Sequence, residues 1–231
     1  MTTNITKVRR NGSRGNRLIA LLAFIAIFIA SSAASTSAAS ACDLVNHCYG
    51  IASYDGLPGF VGASASVDPN CNTAPSGQFV TQEIWLSNNN QSSWVEVGYI
   101  RNNASVAYLA NGLQVFYWGQ TPTGSTFGRT LIMNPTLVSR TFSLWKATST
   151  SMAFSVDGTT FTESNSMFVG VAQAGSESTS ALATSMTSFS GLRKRYGTWT
   201  ATWTGAGVVA NAPMSAVWTT TGSALWAGIS C

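Results

Sequence analysis

Short runs of alternating apolar and polar residues recur from residue 48 to the end of the chain, and turn residues separate them. The pattern is clearest in the stretch 79–99, where two aromatic-rich runs flank a polar Asn/Gln/Ser segment. Alternation with a period of two is typical of β-strands, and the polar segment predicts a hairpin. No run has the 3.6-residue spacing of an amphipathic helix. The sequence predicts strands at 47–54, 60–67, 78–86, 93–101, 113–119, 138–146, 152–156, 159–163, 167–173, 196–204, 214–219 and 224–229.

Many short strands in one chain predict an all-β sandwich or barrel. The most specific local signal is Asp157-Gly158 between two alternating runs. This pair favours a two-residue type I′ turn, because both central residues must take positive φ. The Ser/Thr-rich stretch 176–190 is predicted as a long surface loop or a ragged sheet edge.

The hairpin within 79–99 sets out the faces of its two strands. Antiparallel pairing about the midpoint of Asn89 and Asn90 places Trp85 opposite Trp94 and sets two glutamates opposite each other. All four side chains then share one face, because side chains alternate across a strand. Burying the glutamates without partners would cost several kcal/mol, so this face is expected to be wet or to line a cleft. The glutamates are Glu83 and Glu96, and the opposite, apolar face carries Ile84, Leu86, Val95, Val97 and Tyr99.

The first 41 residues have the three parts of an export signal. A basic segment precedes an apolar run at 18–30, and a small-residue stretch ends at Ala41. Thirteen apolar residues are short of the about 20 that span a bilayer, so a cleaved signal peptide is predicted. An uncleaved N-terminal hydrophobic helix that anchors the chain, or a lipoprotein site at Cys42, remains an alternative. We expect a single domain at 42–231, secreted or extracellular, that contacts a membrane only through an uncleaved leader.

The basic charge belongs to the leader. The chain has 12 Lys and Arg residues against 8 Asp and Glu, a formal charge of +4. Five of the basic residues and none of the acidic ones precede residue 42, which leaves seven basic residues against eight acidic ones in the predicted mature chain. Nucleic-acid binding is therefore not expected, because it needs a basic surface.

Four cysteines follow the leader, and an even number in an exported chain predicts two disulfides. Three pairings are possible, and we expect Cys48–Cys71 together with Cys42–Cys231, because the termini of compact domains often lie close together. Neither metal nor cofactor is expected. There is no Cys-x-x-Cys motif, and His47 is the only histidine.

A resemblance supports the predicted fold. The run FSLWKAT followed by MAFSVDGTTF, together with WVEVGY and VFYWG, is similar to secreted bacterial sandwich proteins of the concanavalin-like lectin/glucanase group. The resemblance implies an antiparallel jelly-roll β-sandwich. This group includes lectins, glycoside hydrolases and glutamic peptidases, so the resemblance does not select a function.

Two strand carboxylates are the candidate catalytic residues. Retaining glycosidases hold two carboxyl groups about 5–5.5 Å apart, and directly opposed strand residues could bring Glu83 and Glu96 that close. A glutamic peptidase would pair a glutamate with a glutamine, but Gln82 points away from Glu83 by alternation. The alternative is that both glutamates lie on a solvated face, paired with Arg or Lys, without a catalytic role.

Aromatic side chains give the stronger signal for a ligand. Planar rings stack on sugars while amides orient the hydroxyl groups, and burial in the inter-sheet core is the alternative for such rings. The sequence therefore predicts a secreted sandwich that binds a polysaccharide or a glycoprotein glycan. A glycoside hydrolase and a structural cell-surface protein without a small ligand are the alternatives. The candidate binding residues are Trp85, Trp94, Gln114, Phe116 and Trp118.

Overall fold

The computed structural model describes residues 42, 47–55, 59–219 and 224–231, and the predicted signal peptide at 1–41 lies outside them. The described residues form antiparallel strands and no helix. The strands are β1 Cys48–Asp55, β2 Gly62–Pro69, β3 Phe79–Ser87, β4 Trp94–Asn102, β5 Gly112–Gln120, β6 Thr126–Met133, β7 Arg140–Thr148, β8 Ser151–Val156, β9 Thr159–Ser164, β10 Val171–Ser178, β11 Thr187–Tyr196, β12 Trp199–Thr202, β13 Gly207–Ala210, β14 Ser215–Thr219 and β15 Ala224–Gly228.

The strands form two sheets that pack face to face. One sheet has seven strands in the order β13-β1-β10-β3-β4-β5-β6, and the other has eight in the order β14-β15-β11-β2-β7-β8-β9, with β12 beside β11. The predicted antiparallel β-sandwich is confirmed. The loop predicted at 176–190 is confined to 179–186, because β10 continues to Ser178 and β11 begins at Thr187. The hydroxyl groups of the serines there are used inside the fold: Ser176 Oγ donates to the Thr81 carbonyl and bonds to Ser185 Oγ.

The β3–β4 hairpin has the predicted faces but a different register. Trp85 lies opposite Glu96, and Glu83 lies opposite Gly98, so the predicted pairs Trp85–Trp94 and Glu83–Glu96 are wrong. The turn is centred one residue later than predicted, because the Asn88 amide N–H donates to the Ser93 carbonyl at 3.1 Å. A displacement of two residues keeps every side chain on its predicted face, because the side-chain period is also two.

The apolar face of the hairpin lies between the sheets. Its five side chains belong to one large core cluster, in which Tyr99 meets Phe142 edge to face at 5.5 Å between ring centroids. The Tyr99 hydroxyl donates to the Val138 carbonyl at 2.7 Å, which satisfies its polar end. The face that carries the glutamates and tryptophans therefore points out of the sandwich, and we call it the outer face of the seven-stranded sheet.

The predicted turn at Asp157-Gly158 is confirmed. Both residues have positive φ, 50° and 87°, and the flanking Val156 and Thr159 pair directly. The Asp157 carboxylate accepts hydrogen bonds from Arg140 Nη1 at 2.5 Å and from the Thr141 amide at 2.9 Å. This aspartate is thus a turn residue that also ties β7 to the hairpin.

All four cysteines form disulfides, but not in the expected pairs. Cys42 is bonded to Cys48 and Cys71 to Cys231. The second bond does fix the carboxyl terminus, as expected, but to the segment after β2 rather than to Cys42. Two disulfides fit an extracellular protein. No helix within the described ranges is long and apolar enough to cross a membrane.

Candidate functional site

A row of residues on the outer face determines how much room the side chains of the candidate site have. Glu83 of β3 lies between two glycines, Gly175 of β10 and Gly98 of β4. The next residue of β3 on this face is Trp85, which lies opposite Glu96 of β4. Because neither strand neighbour of Glu83 has a side chain, the space above its carboxyl group is open to longer side chains from adjacent positions.

Three carboxyl groups converge in that space, and we call Glu83, Glu96 and Glu177 the carboxyl cluster. One carboxylate oxygen of each residue lies within 4.8 Å of the corresponding oxygens of the other two. Glu83 is fully buried, and Glu96 is 6% exposed. Thr81 Oγ1 donates to Glu83 Oε1 at 2.7 Å, whereas the buried Glu83 Oε2 has no hydrogen-bond partner among the described residues. The structure therefore brings the two predicted glutamates together, through neighbouring ladder positions rather than by direct opposition.

Glu177, the third member, is absent from the sequence prediction. It lies at the end of β10, inside the stretch predicted as a loop. The His47 Nδ1 atom pairs with Glu177 Oε1. The alternation of Gln173, Gly175 and Glu177 with three small residues is the signal that could have identified this strand.

Burial and mutual repulsion shift the acidity of these groups. Burial raises the pKa of Glu83 well above its ordinary value, and the charge of Glu177 raises it further. Burial is also the largest cause of the raised pKa of Glu96, followed by the charges of Glu83 and Glu177. Burial and Glu177 together raise the pKa of the Tyr49 hydroxyl, so it remains a proton donor. Three carboxyl groups this close cannot all ionise at low cost, so the cluster retains protons well above the pH at which an exposed glutamate loses its own.

Three tryptophans surround Glu96, and we call Trp85, Trp94 and Trp118 the tryptophan cage. Trp85 and Trp118 lie opposite Glu96 on its two neighbouring strands, and Trp94 precedes it by two residues on the same face. The rings of Trp94 and Trp118 are perpendicular, at 85°, with centroids 5.0 Å apart. The cage and the carboxyl groups of Glu96 and Glu177 border a pocket of about 270 Å³.

Two predicted ligand residues do not reach this pocket. Phe116 and Gln114 are on the outer face but have no exposed surface. Phe116 belongs to a small apolar cluster with Phe79, Ile100 and Leu109. The Gln114 amide donates to the Ala110 carbonyl and accepts from the Thr130 hydroxyl. The segment between β4 and β5 covers both side chains, so the candidate ligand surface is reduced to the cage.

Gln82 also lies where alternation predicts. It is fully buried on the inner face, where its side-chain oxygen accepts from Asn72 Nδ2 at 2.9 Å and its Nε2 donates to the Ser185 carbonyl at 3.0 Å. Gln82 is therefore a structural residue and is not a partner for Glu83.

Substitution of Gly98 by alanine is expected to destabilise the fold by about 1–3 kcal/mol, as overpacking does. A Cβ atom at Gly98 would lie 2.3 Å from the Gln82 carbonyl oxygen and 2.7 Å from Glu83 Cβ. Urea unfolding measures the change. Gly205→Ala is the matched control, because a Cβ there meets nothing within 4 Å. Equal free energies of unfolding for the two variants would contradict the close approach of β3 and β4.

The carboxyl cluster offers three oxygen ligands to a cation. Calcium takes six to eight oxygens, and the tryptophan side of the pocket supplies none from its rings. Three carboxylate oxygens thus fall short of the coordination that calcium requires.

Comparison with solved structures identifies the fold. Scytalido-glutamic peptidase with a transition-state analogue inhibitor is similar, with a TM-score of 0.59 and 12% identity over 79% of this chain and 98% of that one. SCP-B, a member of the Eqolisin family of peptidases bound to the tripeptide Ala-Ile-His, has a TM-score of 0.55 and 12% identity over the same shares of the two chains. A β-glucanase from Bacillus licheniformis has a TM-score of 0.36 and 13% identity over 55% of this chain and 56% of that one.

No protein-family model matches the sequence, and no curated protein matches it. Identities of 12% establish the fold alone. The chain is a concanavalin-like antiparallel β-sandwich, as the resemblance implied.

Proposed function

We propose that this protein is an acid-active hydrolase that cleaves peptide bonds with a pair of glutamates, Glu83 and Glu96. The observation that carries the proposal is the carboxyl cluster: three carboxyl groups within 4.8 Å, two of them buried, beside a pocket of about 270 Å³. Burying such groups is costly, and strongly perturbed carboxyls beside a cleft are typical of functional sites.

The two glutamates have different positions and therefore different proposed roles. Glu96 borders the pocket, so it meets water and substrate. In its ionised form it removes a proton from the water that attacks the scissile carbonyl, and the proton then passes to the leaving nitrogen. Glu83 lies beneath the pocket and shares a proton with Glu96, as close carboxyl pairs do because they cannot both ionise. The tryptophans around Glu96 keep its surroundings apolar. Its pKa therefore stays raised, and Glu96 takes up and releases protons near that pKa.

The peptide substrate is supported by the comparisons. The two solved structures with TM-scores above 0.5 described above are named as peptidases, one of them a glutamic peptidase. Gln82 lies on the inner face, so the glutamine next to Glu83 in sequence cannot be its catalytic partner, whereas Glu96 borders the pocket. The catalytic pair that we propose is therefore Glu83 and Glu96.

The test is a digestion of a mixture of unfolded proteins and a panel of polysaccharides at pH 3 to 8. Mass spectrometry of the peptides and a reducing-sugar assay report the two activities. New peptide ends that form fastest at acidic pH would support the proposal. Reducing sugar without peptide cleavage would replace it with a glycoside hydrolase, and the absence of both products would reject hydrolysis.

Carbohydrate binding is the second candidate, and the exposed part of the cage favours it. Trp94 and Trp118 are only partly buried and border the pocket, as rings that stack on sugars must be. A glycan array probed with the wild-type protein and with Trp94→Ala tests this candidate. Binding that the substitution abolishes would support it, and an array without any binding would reject it.

A further inference from the structure

The tryptophan side of the pocket combines aromatic faces with negative charge. Glu96 has a tryptophan on each neighbouring strand and a third on its own strand. The rings of Trp94 and Trp118 meet edge to face, and both residues border the pocket. Aromatic faces carry negative electrostatic potential, and several of them around one space form the common recognition site for an organic cation.

Glu83 and Glu96 have no cationic partner among the described residues. Among the described residues that border the pocket, the single group able to become cationic is His47, and it is already paired with Glu177. The buried Glu83 Oε2 has no donor within the described residues. A positively charged ligand would supply the cationic partner that these carboxyl groups lack. Such a pair is strong because opposite charges attract more strongly where water is excluded.

We propose that the tryptophan cage is a subsite for a cationic side chain of the substrate, that of arginine or lysine, next to the bond that is cleaved. Its place beside the cleaved bond rests on the proposed function, whereas cation binding does not. The rings accommodate the aliphatic stem and the guanidinium or ammonium group, and the carboxyl cluster provides the opposite charge. Metal ions suit the site less well, because ring faces do not replace oxygen ligands.

The test compares two amino acids of nearly equal shape whose backbone termini are capped, N-acetyl-arginine amide and N-acetyl-citrulline amide. Citrulline carries an uncharged urea in place of the guanidinium. Tryptophan fluorescence and calorimetry at pH 7 should show that the arginine derivative binds at least about 10-fold more tightly, the range expected for cation–π contacts reinforced by charge. Binding should also release protons, because a cation favours the ionised carboxylates. Calorimetry in two buffers with different ionisation enthalpies measures this release.

Trp94→Ala should weaken the binding of the arginine derivative about 10-fold. Trp226→Ala is the matched control, because this tryptophan is 46% exposed on β15 of the other sheet. Equal affinity for arginine and citrulline derivatives, no binding of either, or no effect of Trp94→Ala would overturn the proposal. Displacement of the arginine derivative by a lower concentration of calcium ions would overturn it in favour of a metal site.

The same experiment separates this proposal from the proposed function. Selective arginine binding without peptide cleavage would retain the cation site and reject the peptidase. Cleavage with no preference for arginine or lysine beside the cleaved bond would retain the peptidase and reject the subsite.

Discussion

Glu96→Gln is expected to reduce peptide hydrolysis by about 100- to 10,000-fold, the range that a positioned acid or base contributes. Glutamine has nearly the shape of glutamate but cannot take up the proton of the attacking water. Glu96 is chosen because it borders the pocket and lies within 4.8 Å of both other carboxyl groups. The measurement is kcat/KM on a peptide identified by the digestion described above, at the pH of maximal wild-type activity.

Asp68→Asn provides the control, because Asp68 is an exposed carboxylate on β2 of the other sheet. It should retain wild-type kcat/KM. The thermal midpoints of both variants show whether they fold. A folded Glu96→Gln variant with wild-type activity would remove Glu96 from the mechanism, and with it the proposed pair.

The pH profile gives the same hypothesis a second test. Activity should decline as pH rises through the raised pKa values of the cluster, because the proton shared by the pair is then lost. Glu177→Gln removes a charge that raises the pKa values of Glu83 and Glu96, so the activity of this variant should begin to decline at a lower pH than that of the wild type. A decline at the same pH in both proteins would contradict the electrostatic role of Glu177.

The hairpin shows how much of this site the sequence predicts. Alternation alone assigned Glu83 and Trp85 to one face and Ile84 to the other, because the side-chain period of a strand is fixed. The pairing across the hairpin depends on the backbone of a polar turn, which composition does not determine. Gln91 there takes a φ of 56°, unusual for a residue other than glycine. The prediction of faces was therefore correct while the register was wrong.

The parts of the site that the sequence does not predict come from strands distant in sequence. Glu177 reaches the cluster from β10, and His47 precedes β1, its neighbour in the sheet. Hydroxyl-rich sequence masked the strand character of residues 176–178, because serine also favours loops. Phe116 was assigned to the correct face, but the segment that covers it has no periodic pattern. Neighbour relations between non-consecutive strands and the cover supplied by a loop are tertiary properties that local patterns do not contain.

Glu83→Gln is expected to stabilise the protein at neutral pH and to leave its stability nearly unchanged near pH 4. An unfolded glutamate ionises near pH 4.3, whereas burial raises the pKa of Glu83 in the folded protein. Below the unfolded value both states hold the proton. As pH rises above it, the unfolded state ionises while the folded state retains the proton, so the free energy of unfolding falls until the folded pKa is passed. Glutamine has no proton to lose and avoids this loss.

Each unit by which the pKa is raised corresponds to about 1.4 kcal/mol, or about 4 °C in Tm for a domain of this size. Thermal unfolding of both proteins from pH 4 to pH 8 should therefore show a Tm difference that grows with pH in favour of Glu83→Gln. The contacts His47–Glu177 and Arg140–Asp157 are present in both proteins, so the difference reports Glu83 together with its effect on the pKa of Glu96. Thr81 can still donate to the amide oxygen of the glutamine. A Tm difference independent of pH would mean that Glu83 ionises normally in the fold, and the proton shared with Glu96 would then have no physical basis.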